Sequence, residues 1–228
     1  MQLAARIEKV DPPTTAEVCA ASVRAVIGLL RDERAGDVWA EPIATWQSGG
    51  RIRKLVRRGR ASAWTRAQEV EGVTARSGRA EVRAYVPCRM DRVPEAVAKL
   101  QIRSTELDEP ERSDQVDSPS TGRGGLIVVL TPDVVMSWGK QAAQSAHAGQ
   151  LLWQGAGDGH REAWLRGGEA VTVVHATVGL WRALLDRTVV DGTVVVRDGG
   201  FTEIPAGTLT AVATWSPEVR ELAARLGQ

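Results

Sequence analysis

The chain has 228 residues, enough for one large domain or two small ones. Hydrophobic residues make up 43% of it and charged residues 25%, which is typical of a globular protein and excludes a disordered, fibrous or coiled-coil chain. No apolar run approaches the ~20 residues that a membrane-spanning helix needs, and the segment MQLAARIEKVDPP lacks the apolar centre of a signal peptide.

The cysteine and histidine content argues against a metal site. Cys19 and Cys88 are too few for a disulfide framework or a zinc site, and the three histidines stand at no metal-ligand spacing. We therefore expect no metal, and zinc enzymes and Cys–His hydrolases are poor candidates.

The net charge of +1 conceals an uneven distribution. Residues 51–103 contain 14 Lys or Arg and 5 Asp or Glu, whereas residues 104–122 contain one Arg and 6 acids. The basic block favours a polyanionic partner such as nucleic acid, and the alternative is a solvated helix face whose arginines pair with acids elsewhere. Lysine is scarce, and Lys140 is the only lysine after residue 99. A lysine in such an arginine-rich chain is a candidate for a role that needs a compact ammonium able to lose its proton.

The first part of the chain predicts a small α or α+β domain over residues 1–103. A helix is expected over 14–33, starting at a Thr-Thr-Ala-Glu cap, and then a loop with a short helix over 39–50. Apolar spacing predicts a second helix over 51–70, and alternation predicts a strand over 80–87. Pro94 opens a short helix over 93–100.

The second part of the chain predicts an α/β domain over residues 124–228. Residues 104–123 are acidic and rich in Ser, Pro and Gly, which indicates a flexible linker. Strands are then expected at 126–130, 170–176, 193–198 and 208–215, and helices at 137–154, 178–186 and 217–226. Strands that alternate with helices indicate an α/β layer. No internal repeat is evident in the sequence.

Two polar segments follow strands, where ligands of such sheets usually bind. Gly139-Lys140 opens a predicted helix, which suits an anion but is a weak signal. Asp198 ends a strand before Gly199-Gly200, with Thr202 and Thr210 close by. Together they could orient a water and stabilise a charged intermediate, although an Asp before two glycines is also a common turn former.

The two segments together resemble the type 2 peptidyl-tRNA hydrolases, the archaeal and eukaryotic kind. That family carries Gly-Lys-x-Ala-Ala-Gln-x-x-His-Ala after its first strand, which matches residues 139–148. It also carries Asp-x-Gly-x-Thr-x-Ile-x-x-Gly-Thr-x-Thr near its end, which matches residues 198–210. The resemblance covers about residues 124–217. It implies a four-stranded mixed sheet with helices on both faces, and a hydrolase that acts on peptidyl-tRNA without metal or cofactor.

The resemblance also implies roles for particular residues. The family's proposed catalytic set falls on Lys140, Asp198 and Thr202 and, with less support, on Thr210. Gly139, Gln144 and His147 match the helix block and are expected to bind the substrate or its tRNA, with the histidine as a buried orienting group rather than a general base. Trp138 stands beside the motif as a platform for the terminal adenine or, as the alternative, as a packing residue.

Two departures from the family put its tRNA contacts in doubt. Val135, Ser137 and Trp138 stand where an extra lysine is common, and residues 168–171 read Gly-Glu-Ala-Val instead of Gly-Gln-x-Lys. The basic block offers a replacement, so we expect the N-terminal domain to supply phosphate contacts. The candidates for these contacts are Arg53, Lys54, Arg57, Arg58 and Arg60.

The activity that follows from the resemblance is hydrolysis of the ester between a peptide and tRNA. The alternatives are a non-catalytic tRNA- or RNA-binding protein on a hydrolase-like fold, a hydrolase for another acyl carrier, and an adaptor that binds ribosomal RNA or a protein. The missing export signal and the implied substrate predict a cytoplasmic protein. Members of the family commonly dimerise through the sheet domain, but the N-terminal domain could cover that surface, so a homodimer stays open.

Overall fold

The computed structural model describes residues 1–49, 53–102, 107, 125–186, 192–200 and 203–226. The chain divides into two compact units. The first comprises Met1–Asp108 with Trp138–Ala143, and the second comprises Glu109–Ser137 with Gln144–Gln228. The linker predicted over 104–123 lies outside the described residues except for Leu107. No helix in the described part of the chain is long and apolar enough to cross a membrane.

The first unit contains a four-stranded mixed sheet in the order β2-β1-β4-β3. The strands are β1 (Gln2–Arg6), β2 (Leu55–Gly59), β3 (Gly72–Ser77) and β4 (Ala80–Tyr85). β1 runs parallel to β2 and antiparallel to β4, and β3 is antiparallel to β4. Of the two predicted architectures, the structure therefore has the α+β one.

Four α-helices accompany this sheet: α1 (Thr15–Arg31), α2 (Ala40–Ser48), α3 (Ala61–Gln68) and α4 (Glu95–Ala98). The cap predicted before α1 is present, since Thr14 Oγ1 accepts from Glu17 N at 3.2 Å and the Glu17 carboxylate accepts from Thr14 N at 2.8 Å. α1 packs on β3 and β4, while α3 and α4 pack together on the sheet. Short 3₁₀ helices span Glu33–Gly36 and Met90–Arg92.

The helix predicted over 51–70 is wrong. The segment forms β2 followed by α3, with Arg60 between them. Every residue of β2 pairs with β1, from Gln2 opposite Leu55 to Arg6 opposite Gly59. The apolar spacing that suggested one helix face is satisfied instead by strand pairing, because tertiary contacts override a short periodicity. β1 and β3 were not predicted either.

The second unit contains a four-stranded mixed sheet in the order β6-β5-β8-β7. Its strands are β5 (Leu126–Leu130), β6 (Val171–His175), β7 (Thr193–Arg197) and β8 (Leu209–Thr214), which confirms all four predicted strands. β5 runs parallel to β6 and antiparallel to β8, and β7 is antiparallel to β8. All five residues of β5 are buried, so both faces of this central strand are covered.

Four α-helices follow β5 along the chain: α5 (Trp138–Gly155), α6 (Asp158–Arg166), α7 (Val178–Leu185) and α8 (Pro217–Leu226). The start of α5, Trp138–Ala143, groups with the first unit, and the rest of these helices belong to the second. The predicted α5, α7 and α8 are confirmed, and α6 was not predicted. α7 and α8 pack on one face of the sheet through a cluster that includes Val129, Trp181 and Val212. The indole of the buried Trp164 in α6 donates to Ala170 O at 2.8 Å, which fixes α6 to the start of β6.

A β-bulge interrupts the pairing of β7 with β8. Val196 pairs with Ala211 and the next residue, Arg197, pairs with Leu209, so Thr210 is an extra residue without a partner in the ladder. A bulge of this kind breaks the regular alternation of side chains and redirects one of them. The redirected side chain is that of Thr210, which is fully buried.

The two units share one topology. Each has the element order strand, two α-helices, strand, α-helix, two strands and α-helix. In each sheet the first strand is parallel to the second and antiparallel to the fourth, and the third strand lies at an edge beside the fourth. The fold therefore repeats, although no internal repeat is evident in the sequence.

Candidate functional site

The Asp198 carboxylate lies at the carboxyl end of β7 and is held by two donors. Its Oδ1 accepts from Gly200 N at 2.8 Å, and its Oδ2 accepts from Gln144 Nε2 at 2.6 Å. The bond to Gly200 is the turn predicted for Asp before two glycines, so the turn and the candidate site use the same side chain. Because the residue is only 7% exposed, these bonds replace water and fix the carboxylate in direction.

Gln144 links Asp198 to Thr210. The Thr210 hydroxyl donates to Gln144 Oε1 at 2.9 Å, and its contact with Val196 O is longer, at 3.4 Å. A carboxylate only accepts hydrogen bonds, so the Gln144 amide must present Nε2 to Asp198 and Oε1 to the hydroxyl. The chain from Thr210 through Gln144 to Asp198 therefore has a defined direction. It directs the hydroxyl proton of Thr210, one of the predicted catalytic residues, at Gln144 Oε1.

The loop from 198 to 208 is closed at its base and tied to α5. Asp198 N donates to Thr208 O and Gly207 N donates to Asp198 O, both at 2.8 Å. Gly200 has a φ of +72°, and a Cβ there would lie 2.6 Å from the Cβ of Ala206. Only glycine fits this close turn without strain. The described part of the loop, residues 198–200 and 203–208, is therefore held at the end of the sheet by these contacts.

A second tie joins the same loop to the residue before α5. Ser137 Oγ donates to one oxygen of the Glu203 carboxylate at 2.7 Å, and Ser137 N donates to the other at 3.4 Å. This pair was not predicted from the sequence, because neither residue was assigned a role in a motif. Together with the Gln144–Asp198 bond, it attaches the loop to α5 and to the residue just before that helix.

The remaining predicted residues of this part of the chain lie on α5. Lys140 and Gln144 are one helical turn apart and so occupy the same helix face. Lys140 and His147 are half-buried. The Trp138 side chain is 7% exposed, which supports packing rather than base stacking. Gly139 follows it in the first turn of the helix.

One predicted catalytic residue, Thr202, lies outside the described residues. Among the residues that are described, no group of three or more Cys, His, Asp or Glu side chains could hold a metal ion. This arrangement thus offers an oriented carboxylate with neighbouring hydrogen-bonding groups. It lies at the carboxyl ends of the strands, where α/β proteins bind ligands.

The predicted phosphate contacts of the first unit differ in burial and in position along β2. Arg53 precedes β2 and Arg60 follows it, so a strand rise of ~3.3 Å per residue separates the two by roughly 20 Å. Arg57 is buried and donates to Gln2 Oε1 at 2.9 Å and to Ala98 O and Leu100 O at 3.1 Å. Its assignment as a phosphate contact is wrong, because the guanidinium ties β2 to the segment around α4.

The other two basic residues of β2 differ in environment. Arg58 points to the opposite face from Arg57, since side chains alternate along a strand, and it is half-buried. Burial lowers the pKa of Lys54 to about 7, and its Nζ lies 5.1 Å from the centre of the Trp46 ring. Only part of the Lys54 population is therefore charged near neutral pH. Arg53 and Arg60 are the exposed members of the predicted set.

The first test of this geometry is the variant Gln144→Leu, which removes one donor from Asp198 and the acceptor of Thr210. If the site is catalytic, we expect kcat to fall by about 10- to 100-fold with KM nearly unchanged, because the carboxylate loses its orientation rather than its charge. The matched control is Gln101→Leu, an exposed glutamine whose side chain should not affect turnover. Equal kcat for Gln144→Leu and the wild type would contradict the positioning role.

Comparison with models of known protein families gives no match for this chain.

Proposed function

We propose that this chain hydrolyses the ester that joins a peptide, or another N-blocked aminoacyl group, to tRNA. The observation that carries the proposal is the buried Asp198 carboxylate held by Gln144. This bond joins the two sequence segments on which the resemblance to type 2 peptidyl-tRNA hydrolases rests. A buried, oriented carboxylate on a loop beyond the strand ends suits general acid–base work on a substrate bound there.

The reaction needs a water, an acid–base group and a stabilised oxyanion. In the proposed mechanism, Asp198 orients the attacking water, whose oxygen forms a bond to the ester carbonyl carbon. The negative charge that develops on the carbonyl oxygen is stabilised by the Lys140 ammonium. The carbon–oxygen bond to the ribose then breaks, and the ribose oxygen takes up the proton lost by the water. The products are a free peptide carboxylic acid and tRNA with a free terminal hydroxyl.

Gln144 and Thr210 act in this mechanism through Asp198. Their hydrogen-bonded chain holds the carboxylate in one direction before the substrate binds, so little reorganisation is needed during the reaction. Lys140 occupies the same face of α5 as Gln144, one turn closer to the helix start. At that position the positive end of the helix dipole adds to the charge of the ammonium in stabilising an oxyanion.

The experiment that tests the proposal is release of a labelled acyl group from an N-acetylaminoacyl-tRNA by the full chain. We expect turnover by the wild type without added metal, with no change when EDTA is present. A labelled N-acetylated amino acid ester of a simple alcohol serves as the control for non-specific esterase activity. Binding of the tRNA without release of the label would instead support the non-catalytic RNA-binding alternative.

The exposed arginines of the first unit provide a separate prediction. We expect the double variant Arg53→Gln, Arg60→Gln to bind tRNA more weakly and to reduce the slope of log K against log salt by about 1 to 2, because each lost phosphate contact removes about one released counterion. Arg89→Gln, an exposed arginine paired with Asp91, is the matched control. An unchanged slope in the double variant would remove these two residues from the tRNA interface.

A further inference from the structure

We propose that the first unit is a second copy of the hydrolase-like fold in which the candidate site has been lost. Both units have the same order of strands and α-helices and the same pattern of parallel and antiparallel pairs. In both, the last two helices pack together on the sheet, as α3 with α4 and as α7 with α8. The inference rests on the proposed function only in that it calls the lost site hydrolytic.

The first long helix of each unit shows what has changed. Glu17 is the third residue of α1, and Lys140 is the third residue of α5. Ala21 is the seventh residue of α1, and Gln144 is the seventh of α5. α1 thus has an acidic side chain where α5 has Lys140, and a methyl group where α5 has the amide that holds Asp198.

The connection between the last two strands has changed even more. In the second unit, residues 198–208 join β7 to β8 and include Asp198. In the first unit, the two residues Gly78 and Arg79 join β3 to β4 in a tight hairpin. The β3–β4 ladder is continuous, so it also lacks the bulge that redirects Thr210. The first unit has no loop on which a carboxylate like that of Asp198 could stand.

The Glu17 side chain occupies this end of the first unit. Its carboxylate caps α1 and accepts from Arg79 N at 3.1 Å, and Arg79 also forms an ion pair with Asp11. Gly78 has a φ of +51°, and a Cβ there would collide with the Glu17 carboxylate. The Glu17 carboxylate thus fills the space beside the β3–β4 turn and has a structural role there, whereas the corresponding end of the second sheet carries Asp198. Among the described residues, the candidate site is thus present at the end of β7 and lost at the equivalent end of β3.

The test compares Glu17→Ala with Asp198→Asn in the full chain, with Glu41→Ala as the control. Glu41 is an exposed acid in the first turn of α2. We expect Glu17→Ala to keep wild-type turnover, whereas Asp198→Asn loses it. We also expect amide hydrogen exchange at Arg79 to become about tenfold faster in Glu17→Ala only, with no change over residues 196–210.

Two results would overturn the inference. One is a folded Glu17→Ala variant that loses turnover as Asp198→Asn does, because the first unit would then contribute to catalysis. The other is unchanged exchange at Arg79, because Glu17 would then not close the strand ends. Absence of turnover in the wild type would refute the proposed hydrolase activity. The exchange measurement needs no substrate, so it would still decide whether Glu17 closes this end of the first unit.

Discussion

Asp198→Asn is expected to lower the rate of ester hydrolysis by about 10²- to 10⁴-fold while the protein stays folded. The variant keeps the shape of the side chain and removes its charge. Both carboxylate oxygens accept hydrogen bonds, from Gly200 N and from Gln144 Nε2. Because asparagine replaces one of these oxygens by an NH2 donor, one of the two partners must present an acceptor instead. Rotation of the Gln144 amide presents its Oε1 to the asparagine NH2 group. Its Nε2 then donates to the Thr210 hydroxyl, which in turn donates to Val196 O.

The measurement is single-turnover release of the labelled acyl group, with circular dichroism and the unfolding midpoint recorded on the same samples. Asp158→Asn is the matched control, since Asp158 is an exposed aspartate at the start of α6 in the same unit. Loss of activity together with loss of the folded state would show only a structural role. Near-normal turnover by folded Asp198→Asn would rule out the mechanism proposed above.

Lys140→Met is expected to lower kcat by about 10²- to 10³-fold, because the developing oxyanion loses its cation. Methionine keeps much of the length of the side chain and is a good helix former, so α5 should remain intact. Lys99→Met is the control, since Lys99 is an exposed lysine that pairs with Glu95. Unchanged kcat in Lys140→Met would leave the oxyanion without the proposed stabilising group.

The variant Lys140→Arg separates two roles for the same ammonium. Arginine keeps the positive charge but cannot give up a proton at the pH of the assay. Partial activity in Lys140→Arg, above that of Lys140→Met, is the result expected of a cation that stabilises charge. A Lys140→Arg variant as inactive as Lys140→Met would point to proton transfer by the lysine instead.

The second unit could be predicted from the sequence because its strongest signals are local. The apolar run 126–130 is too hydrophobic for anything but a buried strand, and β5 is indeed buried at every position. The strands and most helices of this unit follow the same rules. The bulge at Thr210 could not be predicted, because it depends on how β7 and β8 pair and not on which residues they contain.

The first unit was harder to predict because its strands carry little hydrophobic signal. β1 reads Gln-Leu-Ala-Ala-Arg and β2 reads Leu-Val-Arg-Arg-Gly, so each becomes a strand through pairing with the other. Arg57 shows the same limit, since nothing local to an arginine-rich segment indicates that one guanidinium is buried against backbone carbonyls.

The candidate site was predictable in its members but not in its connections. The motifs identified Asp198, Gln144 and Thr210, and the structure joins these three by hydrogen bonds. Gln144 was expected to bind the substrate or its tRNA, and the structure adds that its amide bonds to both Asp198 and Thr210. The helical spacing of four residues between Lys140 and Gln144 was available in the sequence and would have indicated that both face the same side.

The shared topology of the two units has a consequence for how the chain folds. Neighbouring domains of one fold can exchange equivalent strands during folding, which produces misassembled or swapped species. The central strands here differ in a way that opposes exchange. β1 presents Ala4 and Ala5, both fully buried, where β5 presents valines. A valine-rich strand inserted into the first sheet would be overpacked. Divergence of the two cores thus helps each newly synthesised half to find its own partner strands.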